Sequence, residues 1–297
     1  MTGLLLVDKP VGLTSHDVVD RIRRAAGIRR VGHTGTLDPG ATGLLILCLG
    51  RATRLSEHLT GLDKLYEGTM RLGVITDSHD LDGDVVEEHP VPEVTREDLQ
   101  AVCDRFTGEI DQIPPMVSAV KVGGERLYKK ARKGETVERP ARRVIVREFR
   151  ALELTPPDVT IRVACSRGTY VRTLCHDVGR ELGCGAVLAA LRRTRVGSFD
   201  VEDALGVDAF TGPEVVEEHL LPMDEALDLP EVVVRDSGRA NVARGRTVSS
   251  ADLLEPCPVN EGWVQIKGRD GKLLALGEIQ PTAAGARVHP KRVFSKR

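Results

Sequence analysis

Residues 32–43 read GHTGTLDPGATG, four glycines and a proline placed just before the apolar run LLILCL at 44–49. This composition excludes regular helix or strand and predicts a long loop with a specified path. Pro39 fixes the backbone directly after Asp38, so Asp38 sits on a tight loop whose glycines permit close approach by another molecule. Glycine-rich loops of this kind often cradle phosphates at a helix N-terminus. Here the Gly-Lys-Ser/Thr ending is absent and no lysine falls in the loop, which argues against a nucleotide site of that type. Taken alone, the loop also fits a structural turn in which Asp38 caps a helix or binds backbone amides.

Outward from the loop, LLLV at 4–7 predicts a short buried strand. SHDVVDRIRRAAG after it predicts a helix with Ser15 as N-cap and Gly27 as stop. TGLLILCLG reads as a buried strand, RATRLSEHL as a short amphipathic helix and YEGTMRLGV as an alternating strand, and Thr95 opens a helix to about Phe106 with a near-capping-box start. RVIVREFRALEL and DVTIRVACS alternate around the turn TPPD, an antiparallel pair. TYVRTLCHDVGRELG predicts a helix ended by Gly183, and AVLAALRRTRVGSF a strand returning to the sheet. From about Leu229 short β-like runs alternate with Gly, Asp and Pro turns and little helix, predicting a small all-β domain at 231–297 after a larger one at 1–230.

The chain has 297 residues, 41% of them hydrophobic and 29% charged, with a net charge of −2. That suits a soluble globular protein, and no apolar run approaches the roughly 18 residues of a membrane helix. MTGLLLVDKP lacks the basic start, apolar length and cleavage site of a secretory signal, so a cytoplasmic location is expected. The six cysteines show no CxxC pair and no zinc-like spacing, and read as reduced structural thiols. Charge is segregated: Glu125–Arg150 holds ten basic residues against four glutamates, and Asp77–Glu88 holds six acidic residues and no Lys or Arg. Such segregation suggests one face for a polyanion. The segment 111–143 has few apolar anchors in its second half and is expected to be a strand leading into an exposed excursion with one short helix. TDSHDLDGD does not fit a calcium loop, because its glycine and terminal glutamate are misplaced, and reads as a solvated turn.

The motifs LLLVDKPVGLTSHDVV, GHTGTLDPGATGLL, KLYEGTMRLG with TDSHDLDG, CSRGTYVRTLCHDVG and LRRTRVG follow in this order over most of residues 1–200. Together they closely resemble the bacterial tRNA pseudouridine-55 synthases of the TruB type. The last part of the chain is similar, more weakly, to the PUA-type RNA-binding domain of that family.

The resemblance implies an α+β fold on a mixed, largely antiparallel sheet, and isomerisation of uridine to pseudouridine in the T loop of tRNA. The N1–C1′ bond breaks and is remade through C5 with no redox change, so no cofactor and no metal are implied. Asp38 matches the family's essential aspartate, acting on C1′ as nucleophile or on the C2′ proton as base; the residues do not choose between these routes. Arg172 matches the arginine that pairs with it. Tyr66 matches the tyrosine that packs on the target base and helps remove the C5 proton. His33 matches the histidine that inserts into the RNA loop when bases flip out. Lys9 lies in a matched segment, expected to support the active-site loop and counted with the RNA-contacting residues. The basic excursion at about 118–143 coincides with the family's thumb-like insertion, where Lys129, Lys130, Arg132, Arg142 and Arg143 would meet phosphates of the T arm. The expectation is a monomer acting on tRNA without an obligate protein partner. The rivals are a relative working inside a guide-RNA particle, which the lack of a long basic tail disfavours, and a tRNA-binding or folding protein whose catalysis is secondary.

Overall fold

The computed structural model describes residues 1–116, 121–122, 125–126, 137–257, 261–282 and 285–294. Its centre is a ten-stranded mixed sheet. From edge to edge the order is Leu205–Gly206, Gly3–Lys9, Ala41–Leu49, Ala186–Val196, Lys64–Leu72, Asp158–Cys165, Arg142–Thr155 and Gly108–Gln112, with Val31–His33 and Phe199–Asp200 as side branches. All pairs are antiparallel except Gly3–Lys9 with Leu205–Gly206 and Ala41–Leu49 with Ala186–Val196. The α+β, largely antiparallel expectation holds. Ala41–Leu49 is buried at every position but Thr42, as an unbroken apolar run covered on both faces should be.

Helices close the faces. Ser15–Ala26 buries Val18, Val19 and Ile22 against Leu5, Leu45 and Leu47. Val171–Glu181 and Arg96–Asp104 put Leu174 and Val178 with Leu99 and Cys103 against the other half of the sheet. The first helix is capped by Thr14, not Ser15: Thr14 and Asp17 complete a capping box, and Gly27 ends the helix in the left-handed region at φ 64°. Ser15 is thereby released for another bond, described below. The Thr95 capping box is also complete, with Asp98 as the reciprocal partner.

Glu231–Val233, Gly262–Lys267, Leu273–Thr282 and Gly285–Val293 form a second, four-stranded sheet over a core that includes Val232, Val264, Ile266 and Val288. It carries an eight-residue helix, Asp236–Ala243, that the sequence did not reveal; only Gly238 and Val242 of it are buried, so it has no apolar stripe to read. This sheet is docked tightly. Leu273, Leu276 and Phe294 share a hydrophobic cluster with Leu4, Leu6, Leu44 and Leu55. Arg51 Nη1 donates to the Phe294 carbonyl at 2.7 Å, Arg54 donates to that of Val293, and His58 meets Trp263 edge-on at 4.4 Å.

The helix Val171–Glu181 lies so close to the strand beginning at Ala186 that a Cβ on Gly179 would stand 2.0 Å from the Ala186 nitrogen. Backbone cannot yield cheaply there, so the helix as a whole must move. Gly179→Ala is therefore expected to lower stability by about 1–3 kcal/mol or more, measured by urea unfolding, and to reduce activity, because Arg172 rides on the same helix. An unchanged midpoint would show that the helix can shift freely.

Candidate active site

Asp38 begins a tight turn in which the Ala41 N–H donates to its carbonyl at 3.1 Å, with Pro39 at the second position. The turn is held from beneath by four elements. Ser15 Oγ accepts from the Leu37 N–H at 2.8 Å and donates to the Leu37 carbonyl at 3.0 Å. The Gly12 N–H donates to the Pro39 carbonyl at 2.9 Å. Lys9, with none of its surface exposed, donates from Nζ to the carbonyls of Leu13 at 2.7 Å, Pro10 at 2.9 Å and Pro39 at 3.4 Å. Arg193 donates to Leu44 at 2.7 Å, Gly35 at 3.2 Å and Thr36 at 3.5 Å. Lys9 thus supports the loop and has no surface to offer RNA; burial brings its ammonium down to about 8.

Across the pocket, Arg172 keeps only 5% of its side chain exposed and bridges two carboxylates: Nη2 lies 3.3 Å from Asp38 Oδ2 and Nη1 2.9 Å from Asp80 Oδ2. Its helix starts without a side-chain cap. Gln112 does that work instead, accepting from the Tyr170 N–H at 2.8 Å and donating to the Tyr170 carbonyl at 3.1 Å. Asp80 comes from the acidic stretch expected to be a solvated turn, and that expectation is corrected. The stretch docks on the sheet, where Leu188 N–H donates to the His79 carbonyl at 3.0 Å and Leu81 N–H to the Leu188 carbonyl at 3.2 Å. The sheet strand has a register shift at this point, between Leu188 and Ala190, which opens it to the incoming segment. Ser78 Oγ donates to Asp80 Oδ1 at 2.5 Å, and His79 stacks on His176 with centroids 3.9 Å apart and planes 1° apart. Burial lowers the pKa of both imidazoles, that of His79 to about 3.

Tyr66 stands opposite Arg193 in the strand register, and Arg193 opposite Gly43. Burial raises the Tyr66 pKa, and the nearby Arg193 guanidinium opposes the rise. Lys64, two residues earlier on the same strand face, donates from Nζ to the carbonyls of Thr60 at 2.6 Å and Leu62 at 2.5 Å. Asp38, Arg172, Tyr66, Arg193 and Lys64 line one pocket of about 260 Å³. The three catalytic residues expected from the sequence are thus brought together, and Asp80, Arg193 and Lys64 are added to them. Lys64 had a signal, because it falls in phase with the buried Met70 and Leu72 of its strand, where an apolar side chain is the norm; Arg193 had none, since its in-phase neighbours Leu191 and Arg195 are half-buried and exposed. Asp80 had only its place in a run of unpartnered acids.

His33 ends the strand Val31–His33, half-buried, its Nδ1 accepting from the Gly35 N–H at 3.4 Å; burial and Arg193 lower its pKa. Arg142 and Arg143 begin the strand Arg142–Thr155 exposed, Arg143 standing 3.7 Å from Asp111 and 3.9 Å from Glu109. Lys129, Lys130, Arg132 and the short helix expected with them lie outside the described residues. The thiols beside the GTYVRT segment are inert: burial pushes Cys165 up to about 11 and Cys175 further still.

The chain matches the sequence profile described as TruB family pseudouridylate synthase, N-terminal domain, over residues 23–171, and that of the tRNA pseudouridylate synthase B C-terminal domain over 172–228. It is 51% identical to the tRNA pseudouridine synthase B of Opitutus terrae over 76% of this chain and 95% of the relative. To that of Syntrophotalea carbinolica it is 42% identical, over 96% and 94%. Among solved structures it is similar to a chain of an H/ACA RNP bound to a substrate RNA containing 2′-deoxyuridine (28% identity, TM-score 0.76, 99% of this chain and 86% of the other). It is also similar to a chain of a Cbf5-Nop10-Gar1 complex (31%, 0.76, 99% and 85%).

Surrounding protein raises the Asp38 carboxyl above its ordinary 3.8; Arg172 and Lys9 oppose the rise, and Asp80 and Asp82 add to it. More than half of the side chain, 53%, remains open to water, which screens much of this effect. A carboxyl with a raised folded pKa favours the folded state while protonated and opposes it once ionised. Asp38→Asn is accordingly expected to be the more stable protein in urea titrations at about pH 7.5, with the difference shrinking as the pH falls toward the ordinary carboxylate range. A less stable Asn variant at that pH would mean that pairing with Arg172 outweighs burial.

Proposed function

The chain belongs to the TruB family of pseudouridylate synthases, and from that premise we propose how its residues turn uridine-55 of the tRNA T loop into pseudouridine. The observation that carries the reading is the carboxylate of Asp38, fixed on a turn supported from four sides, open at the mouth of the pocket and paired with a buried arginine.

Base isomerisation needs a carboxylate that is ionised yet sheltered, and a flat surface against which the uracil can stay while detached from the sugar. Arg172 keeps Asp38 ionised and aimed, and Asp80 aims Arg172, because a guanidinium gripped at both nitrogens cannot rotate away. Tyr66 offers its ring to the extruded base. With its pKa raised by burial, it serves better as a packing surface and hydrogen-bond partner than as a phenolate base. His33, at the edge of the Asp38 loop, fills the space left in the RNA stack. The exposed Arg142 and Arg143 meet phosphates.

In this reading residues 1–230 form the catalytic part and 231–297 a PUA-like RNA-binding part. The enzyme acts on tRNA as a monomer in the cytoplasm, without a partner protein. Identities of 39–51% to relatives named tRNA pseudouridine synthase B, against 28–31% to chains of H/ACA and Cbf5 assemblies, support a tRNA enzyme over a guide-dependent one. No helix among the described residues is long and apolar enough to cross a membrane.

The test is tritium release from tRNA transcript carrying [5-³H]uridine. The unsubstituted chain is expected to release it and Asp38→Asn to release none at matched RNA binding. Asp80→Ala, which removes one of the two carboxylates that aim Arg172, is expected to slow release by about 100-fold through misplacement alone with RNA affinity retained. Tight binding without release from any tRNA would leave an RNA-binding protein on a synthase scaffold.

A further inference from the structure

Two cations in the wall of the pocket stand outside the Asp38–Arg172–Asp80 arrangement. Arg193 has 2% of its surface exposed and Lys64 7%, and both line the cavity. Among the described residues, the Arg193 guanidinium donates to three backbone carbonyls and the Lys64 ammonium to two. Asp63, next in sequence to Lys64, is ion-paired with Arg147 at 2.5 Å.

Removing a charge from water costs several kcal/mol unless a counter-charge or well-placed dipoles replace the solvent. Carbonyls do part of that here. Keeping two cations near each other, so that burial and Arg193 hold Lys64 down at about 8, is nevertheless unfavourable in the free protein. The arrangement is suited to a negative charge that arrives with the substrate or forms from it.

Uridine isomerisation forms one. When the C1′–N1 bond breaks, its electron pair goes to the uracil ring and spreads over N1, O2 and O4. Meanwhile an Asp38 oxygen either bonds to C1′ or takes the C2′ proton. The pair then makes the C5–C1′ bond as Asp38 releases the sugar carbon or returns the proton, and the ring loses its C5 proton as N1 gains one. The charge on the base exists only between these events, on the side of Tyr66 and away from the carboxylate. Resting on the uridine-isomerase reading above, we infer that Arg193, assisted by Lys64, stabilises the departing uracil anion and so lowers the barrier to glycosidic cleavage by either route. Both groups are already oriented by backbone carbonyls, so no reorganisation is needed when the charge appears.

The discriminating experiment varies the leaving group. T-arm stem-loop RNAs carry uridine or 5-fluorouridine at the target position, the fluorine making the base a better anion. Conversion to the C-glycoside is followed by nucleoside chromatography under enzyme excess, with RNA affinity measured separately. Arg193→Met is expected to slow the uridine RNA by about 100- to 1000-fold, the usual loss for one anion-stabilising group. The fluorinated RNA should be slowed far less, affinity should hold, and Arg193→Lys, which keeps the charge, should recover most of the rate. Equal slowing of both RNAs, or a loss confined to affinity, would overturn the inference and leave Arg193 as support for the Asp38 loop. Should Arg193→Met fail to fold, Lys64→Met decides by the same comparison: selective slowing of the uridine RNA supports the inference, and equal or no slowing overturns it. If the unsubstituted chain rearranges neither RNA, the isomerase reading itself falls, an outcome distinct from the others.

Discussion

A buried guanidinium gripped by two carboxylates is the constraint on which the rest of this structure depends. Arg172 sits where water cannot solvate it, and a charge so placed is tolerated only with its partners in register. Those partners come from two loops far apart in sequence, the Asp38 turn and the acidic segment bearing Asp80. Much else follows from delivering the three groups together. Gln112 fixes the start of the Arg172 helix, Gly179 lets that helix lie close to the sheet, and the shift beside Leu188 receives the acidic segment. Losing any of them would move one member of the trio away from the other two.

The support beneath Asp38 differs in kind from what surrounds its carboxylate. Below, every contact is to backbone: Ser15 on Leu37, Lys9 and the Gly12 amide on Pro39, Arg193 on Gly35, Thr36 and Leu44. Backbone contacts fix the position of the turn without consuming the side chain. Above, the carboxylate is half open, so its environment in the free protein is partly aqueous. A nucleotide filling the pocket displaces that water, and every charge in the wall then acts at lower effective dielectric. Rigid positioning is therefore present before the substrate arrives, and full electrostatic strength only after.

The strands and long helices were legible from their apolar patterns: Ala41–Leu49 as an unbroken apolar run, the Arg142–Thr155 pair by alternation and the Val171–Glu181 helix by a helical repeat. The family motifs named Asp38, Tyr66 and Arg172, and the structure brings the three to one pocket. What escaped was decided by tertiary contact. Thr14 and Ser15 are adjacent hydroxyls and either suits a cap; the Asp three residues after Thr14 was the available clue, but only the fold shows Ser15 reaching Leu37. A run of four aspartates looks the same in water as on an arginine, so Asp80 was read as solvated. Lys9 was expected to support the loop, and it does; its count among the RNA contacts fails because it is fully buried, and nothing local announces the three convergent carbonyls that hold it.

Charge counted along the chain also differs from charge in space. The basic run predicted a polyanion face, yet within the described residues two of its members meet acids: Arg143 faces Asp111 and Glu109, and Arg147 pairs with Asp63. Exposed pairs of this sort contribute roughly 0–1 kcal/mol each, whereas a phosphate brings a full charge and releases counterions. Such arginines can exchange a carboxylate for a phosphate at little cost, and in free protein the pairing keeps them from repelling one another. The buried cations are different. Arg172 is already held by Asp38 and Asp80, whereas Arg193 and Lys64 rest on carbonyls, so the charge of these two is left for whatever enters the pocket. A net charge of −2 is thus compatible with an RNA enzyme, because the field that matters is a local one, fixed in the pocket wall and only loosely neutralised at the rim.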